Sequence, residues 1–205
     1  MAPYPYHVER VPTTIDLVQV GYQFDPTLRA AIHQLKYRGN RRIAQPLGQL
    51  LAQRHAGLAS LADCLIAIPL HPTRLAERGY NQAYELAQVL SRAWGIPALA
   101  AQAPHGLVRL RATAQQAKMA THERAANVAE AFAWHGKQLP PARVLLIDDV
   151  LTTGATMAAC AAALRAAGSS WVGGCALARS RPDLDRQHAT RPMAPQEPPA
   201  LPVDQ

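Results

Sequence analysis

The spacing of apolar residues changes several times along the chain, and each change marks an element. In DLVQVGYQF, residues 16 to 24, apolar and polar positions alternate as in a strand. Asp25-Pro26 then supplies an N-cap and a proline at the first helical position, and Leu28, Ile32 and Leu35 recur at helical spacing before the stop Tyr37-Arg38-Gly39-Asn40. A second helix is predicted from Arg42 to His55, followed by the short apolar run CLIAI at 64 to 68, a buried strand that stops at Pro69. From Asn81 to Trp94 the residues Ala83, Leu86, Ala87, Leu90 and Ala93 mark a helix that Gly95-Ile96-Pro97 ends. Leu107 to Leu110 reads as a short strand. Ala112 to Ala126 is polar, basic and almost free of large apolar residues, which fits a mobile loop or an exposed helix.

The C-terminal half carries the strongest pattern. Val144 to Asp148 is a second buried strand, Ala155 to Ala167 an alanine-rich helix closed by Gly168, and Trp171 to Leu177 a third strand. Strand, tight turn, helix and strand in so few residues make a βαβ unit, so the expected class is α/β with a central parallel sheet and right-handed crossovers. The first 16 residues show no clear period and are expected to form a loose arm. The tail from residue 181 holds six prolines with few apolar residues between them, and disorder is expected there. The expected organisation is an N-terminal arm and hood segment over 1–40, a core over 41–180 and a proline-rich tail over 181–205.

Composition narrows the field. Cys64, Cys160 and Cys175 form no C-x-x-C pair and no histidine-flanked cluster, which argues against a zinc ribbon or a disulfide framework and for a reducing compartment. The N-terminal residues have acids and prolines where a secretory signal needs an apolar core, and no run approaches the roughly 18 apolar residues of a membrane span. A cytoplasmic protein without membrane insertion is expected. The net charge of +7 is regional: residues 29 to 124 carry +9 and the remainder −2. Charge of this kind suits a solvated face, a small phosphorylated ligand or nucleic acid, and does not by itself choose among them.

The chemistry lies in VLLIDDVLTTGAT, residues 144 to 156. An apolar strand ends in two acids and passes through a Thr-Thr-Gly turn into a helix. In open parallel sheets, ligands bind beyond the carboxyl ends of the strands. Backbone N–H groups and hydroxyls of Thr152, Thr153, Gly154, Ala155 and Thr156 would form a phosphate cradle at a helix N-terminus. Asp148 and Asp149 suit ribose hydroxyls or a hydrated magnesium ion. Two acids after a strand would alone fit an ordinary capped loop equally well; the full combination is far more specific. A Walker A loop is excluded, because G-x-x-x-x-G-K is absent.

This segment resembles the phosphoribosyl pyrophosphate (PRPP) signature of type I phosphoribosyltransferases. The resemblance extends further, through His33-Gln-Leu-Lys36-Tyr37-Arg38-Gly39, Ile68-Pro69-Leu70-His71-Pro72, Arg74-x-x-x-Arg78-Gly79-Tyr80-Asn81-Gln82, Arg109-x-Arg111-x-Thr113-x-x-Gln116 and Glu123-Arg124-Ala-Ala-Asn127-Val-Ala-Glu-Ala-Phe132. Together these are similar to the ComF family, named for competence, over about residues 17 to 180. Many of its members begin with a four-cysteine zinc ribbon, and no such segment stands in these 205 residues.

The resemblance implies a type I phosphoribosyltransferase-like fold with a small N-terminal hood. It also implies a magnesium-dependent reaction in which a nucleophile displaces pyrophosphate from PRPP through an oxocarbenium-like transition state. Such a protein holds charge and position rather than supplying a covalent nucleophile. On that basis Asp148 and Asp149 are the catalytic acids, with magnesium brought by PRPP near them rather than held by a direct metal site. Thr152 to Thr156 hold the 5′-phosphate, and Pro69, Leu70, His71, Arg74 and Arg78 the pyrophosphate. Arg109, Arg111, Lys118 and Arg124 stand in a flexible loop that closes over the ligand and excludes water.

In 6-oxopurine enzymes of the class, the third residue after the acid pair is typically Asp; here it is Thr152, which disfavours purine salvage. Tyr22, Phe24 and Tyr37 are expected as hood core rather than as a stacking platform. The acceptor is not legible. Two alternatives accompany the transferase reading: a PRPP or nucleotide sensor without turnover, and an accessory of DNA uptake contacting single-stranded DNA or a helicase. A second copy of the chain is a further candidate partner.

Overall fold

The computed structural model describes Pro3 and residues 13–99, 106–110 and 131–180. Its elements run β1 (Leu17–Gln23), α1 (Pro26–Tyr37), a 3₁₀ turn (Arg41–Ile43), α2 (Ala44–Arg54), a second 3₁₀ turn (Ala56–Ser60), β2 (Cys64–Ala67), α3 (Pro72–Arg78), α4 (Gln82–Trp94), β3 (Ala98–Leu99), β4 (Leu107–Arg109), β5 (Phe132–Trp134), β6 (Arg143–Leu151), α5 (Ala155–Ala166) and β7 (Trp171–Arg179). Five strands form one sheet in the order β1-β7-β6-β2-β3, every neighbouring pair parallel. β4 and β5 make a separate antiparallel pair.

The alternation of side chains along β6 builds two cores. Val144 and Leu146 point into one, which α5 closes with Met157, Cys160, Ala161 and Leu164 and the small hairpin closes with Leu107 and Phe132. Leu145 and Ile147 point into the other, beneath Leu28, Ile32 and Leu35 of α1, Leu47 and Leu51 of α2, and Leu86 and Leu90 of α4. All four β6 residues are fully buried. At roughly 1.5–3 kcal/mol for each such side chain, this strand is the main apolar anchor of both layers. The three cysteines are buried within these cores and unpaired.

Local chemistry explains the helix boundaries. The Asp25 carboxylate accepts from the Leu28 N–H at 2.8 Å, and Pro26 occupies N1, so α1 starts where the sequence places it. α2 begins two residues later than the expected Arg42, because Pro46 has no N–H to offer the Arg42 carbonyl; the chain uses a 3₁₀ turn until an α-helix becomes possible. α5 lies close on β7: a Cβ at Gly174 would collide with the Met157 sulfur.

Several expectations change. β6 continues through both acids to Leu151 and β7 to Arg179, since each strand offers the other a parallel ladder, pairing Asp148 with Ala176 and Leu151 with Arg179. β3 and β5 are too short to leave a period in the sequence. β1, which lies on the N-terminal side of the boundary expected at residue 40, is an edge strand of the main sheet through its pairing with β7. Tyr22 and Phe24 pack against the second core, but Tyr37 is 61% exposed. It stands two residues beyond Leu35, about 200° round the helix from the buried stripe, and its expected place in a core is thus corrected. The segments at 111–130 and 181–205 lie outside the described residues, as do the loop and tail expected there.

Candidate ligand site at the carboxyl ends of β2 and β6

β2 and β6 are neighbours, yet their connections leave in opposite directions. From β2 the chain passes through α3 and then α4, which packs on the second core, to β3; from β6 it passes through α5, on the first core, to β7. Such a point, where adjacent strands send their loops apart, leaves a crevice at their carboxyl ends. Both sequence segments assigned to a ligand emerge into it. The Ile68 N–H donates to the Ile147 carbonyl at 2.9 Å, which sets Pro69 beside the acid pair.

Period-two geometry separates the two acids. Asp149 follows Leu145 and Ile147 onto the face of α1 and α4, where it is 2% exposed. Its Oδ1 accepts from the Gln82 amide at 3.1 Å, and the Lys36 ammonium stands 2.6 Å from Oδ2. At that distance the ammonium and the buried Oδ2 form a close ion pair. Burial disfavours the Lys36 charge, but Asp149, with help from Asp148, outweighs it and raises the lysine above its ordinary value.

Asp148 follows Val144 and Leu146 onto the face of α5 and the hairpin. It keeps a partly exposed edge, and its Oδ1 accepts from the Asp149 N–H at 2.8 Å. Burial and the neighbouring Asp149 carboxylate push its pKa well above the ordinary range, against the pull of Lys36. On the same face, Arg109 of β4 stacks over Phe132, 5.4 Å from the ring centroid; burial lowers its pKa, and Cys160 and Asp148 act in the other direction. Of the predicted loop cations, Arg109 is thereby set in the field of Asp148. Arg111, Lys118 and Arg124 lie outside the described residues.

Thr152 to Thr156 form the turn into α5. Gly154 is the N-cap at φ +82°, a conformation that disfavours any residue with a Cβ, and it has no side chain of its own to bond the first turn. The Thr153 hydroxyl accepts from the Ala155 N–H at 3.3 Å, and the first helical bond is Ala158 N–H to the Gly154 carbonyl. Thr152, Thr153 and Ala155 are exposed. The Arg179 guanidinium donates to the Thr152 carbonyl and ties the turn to the end of β7.

On the β2 side, Pro69 is buried while Leu70 and His71 are partly exposed. His71 caps α3, its Nδ1 accepting from the Thr73 N–H at 3.3 Å, so this ring has a structural task in the turn. Asn81 is buried and bridges two elements: its Nδ2 donates to the Ile68 carbonyl, and its Oδ1 accepts from the Ala83 N–H, both at 2.9 Å. Arg74 is exposed and stands 3.5 Å from Glu77. Arg78 donates to the Gln82 Oε1 and lies over the Tyr37 ring at 5.3 Å.

Gln82 therefore links Arg78 to Asp149, and Lys36 completes the chain from the other side. Neither Lys36 nor Gln82 is among the site residues expected from the sequence, although both stand inside the segments that carry the family resemblance. Lys36, Tyr37, Gly39, Arg74, Glu77 and Arg78 line an open cleft of about 260 Å³.

Among the described residues no three His, Cys, Asp or Glu side chains cluster as a metal cage. One partly exposed carboxylate beside a cationic cleft fits a magnesium ion that keeps its waters and arrives on a phosphate ligand. No helix among the described residues is long and apolar enough to cross a membrane.

No protein-family model matches the chain. It is 33% identical over 173 residues to the DNA utilization protein YhgH of Salmonella typhimurium, an alignment covering 80% of this chain and 72% of that protein. Its identity to YhgH of Escherichia coli O157:H7 is 35% over 177 residues, with the same coverage of each. Competence protein F of Haemophilus influenzae is 33% identical over 159 residues, 73% of this chain and 66% of its own. Among solved structures, TT1426 from Thermus thermophilus aligns over 74% of this chain and 80% of its own, at 17% identity and a TM-score of 0.40.

Proposed function

This chain belongs to the ComF family, and from that premise we propose that it binds PRPP, or a closely related phosphorylated ribose, and transfers the phosphoribosyl group to an acceptor. The observation that carries this reading is the convergence of two loops, Pro69 to His71 and Thr152 to Thr156, at one crevice between oppositely connected parallel strands.

In the proposed complex the 5′-phosphate lies at the N-terminus of α5, where backbone N–H groups and the Thr hydroxyls face it. Asp148 holds the ribose hydroxyls, and its charge favours the cation that develops at the anomeric carbon. Arg74 and Arg78, with the backbone of the β2 turn, hold the diphosphate. The acceptor's electron pair forms the new bond as the bond to pyrophosphate breaks, and the departing oxygen keeps its electrons. Positioning and charge do the work, and no residue of the chain is alkylated. Magnesium bound with the diphosphate would neutralise part of the leaving group's charge.

Asp148 is costly where it stands, since burial opposes its ionisation. Cations near the site, including a lysine tied to its neighbour, suit a carboxylate kept for ligand chemistry. Titration calorimetry of the full chain with PRPP and magnesium tests the proposal. Wild type should bind, and the Asp148→Asn/Asp149→Asn variant should lose at least tenfold in affinity; no heat with wild type would sink the reading. Binding without pyrophosphate release across a panel of bases would assign the chain as a sensor instead.

The names of the relatives, DNA utilization and competence, favour a second reading in which the same fold serves DNA uptake by contacting single-stranded DNA or a helicase. A salt-dependent mobility shift with single-stranded DNA that Arg109→Ala/Arg111→Ala abolishes would support it. Absence of any shift at low salt would remove it.

A further inference from the structure

Lys36 belongs to two places at once. Its ammonium stands 2.6 Å from Asp149 Oδ2, while the side chain keeps 21% of its surface exposed and lines the cleft between the end of α1 and α3. Among the described residues that cleft presents Lys36, Arg74 and Arg78 against the carboxylate of Glu77, which Arg74 engages at 3.5 Å. Arg78 contacts the Gln82 carboxamide oxygen and the Tyr37 ring, partners without formal charge, and it repels Lys36. A polyanion placed between the two cations would remove that repulsion. Asp149, for its part, has a second side-chain partner in the Gln82 amide, which donates to Oδ1 and stays in place when the ammonium at Oδ2 turns away.

Resting on the ligand reading above, we propose that Lys36 is shared between Asp149 and the diphosphate end of the ligand. With the cleft empty it holds Asp149; an anion of two or more charges in the α1–α3 cleft draws the ammonium toward itself. Filling the leaving-group side then exposes more of the Asp149 charge beneath the ribose, so the negative field that favours bond breaking strengthens when the diphosphate is in place. Gln82 retains Asp149 through its amide nitrogen and Arg78 through Oε1, which keeps both ends of the exchange in register.

The experiment compares four full-length proteins, wild type, Lys36→Met, Asp149→Asn and Lys36→Met/Asp149→Asn, by calorimetry with inorganic pyrophosphate and, separately, ribose 5-phosphate. The double variant removes both charges of the pair and keeps the comparison usable if Lys36→Met alone fails to fold. Asp149→Asn should bind pyrophosphate at least threefold more tightly than wild type, because its lysine is released. The double variant should bind it at least tenfold more weakly than Asp149→Asn, with ribose 5-phosphate affinity equal in the two within twofold. If Lys36 serves only to satisfy Asp149, these two variants bind pyrophosphate equally, and that result overturns the inference while leaving the ligand reading intact. Wild type binding neither probe would overturn the ligand reading, and this inference with it.

Discussion

Replacing Lys36 by methionine removes the charge and keeps most of the side chain's volume, so its effect isolates the ion pair. Asp149 is 2% exposed and would be left with the Gln82 amide at 3.1 Å as its side-chain partner. Breaking a buried pair by removing one member costs about 3–5 kcal/mol. The Lys36 side chain is 21% exposed, so water reaches the vacated space and the lower end, about 3 kcal/mol, is expected. For a chain of this size, each kcal/mol moves Tm by roughly 2–4 °C, which predicts a fall of about 6–12 °C. Adding Asp149→Asn removes the stranded charge and should recover about 2 kcal/mol, a coupling measurable in a double-mutant cycle by urea denaturation. The sign of the pH dependence follows from the raised pKa of Lys36. Its contribution is fully present below 10.5, the ordinary lysine value, and is lost as pH rises through the higher folded value. A cost below about 1 kcal/mol at neutral pH, with no recovery in the double variant, would refute the buried pair.

Asp148 should behave in the opposite way. Its folded pKa is raised, so the folded chain holds that proton more tightly than the unfolded one, and stability from this group falls as pH rises from the ordinary carboxylate value to the raised one. Asp148→Asn should therefore melt higher than wild type near neutral pH while losing PRPP affinity; a lower Tm at pH 7 would contradict the burial argument. Gly154→Ala places a Cβ at φ +82° and should cost about 1–2 kcal/mol, with a loss of ribose 5-phosphate binding read by calorimetry. Asn81→Ala removes the α4 cap and leaves the Ile68 carbonyl without its buried donor, an expected loss of about 2–3 kcal/mol in chemical denaturation.

The strands of the main sheet that lie deepest are readable from sequence because burial on both faces leaves unbroken apolar runs, as in Val144 to Ile147 and Cys64 to Ile68. The α1 and α4 boundaries are readable because Asp25, Asn81 and Gly95 act on the backbone within a few residues. The extension of β6 past its acids is not, since it depends on a partner strand some 28 residues away. The acid pair stands out as chemistry, yet its division between two faces follows from strand period only once β6 is known to continue through it. Lys36 and Gln82 meet Asp149 across 113 and 67 residues, and no local pattern encodes such a meeting. Tyr37 reads as core from sequence because an aromatic near an apolar stripe does so until its angle round the helix is counted.

The most direct measurement is a crystal structure of the full chain grown with PRPP and magnesium. The account predicts the 5′-phosphate against the backbone of Thr152 to Thr156, the ribose hydroxyls within hydrogen-bond reach of Asp148, and the diphosphate between the Pro69–His71 turn and the Lys36, Arg74 and Arg78 side chains. Density for the ligand elsewhere, with this crevice holding only solvent at saturating PRPP, would contradict it.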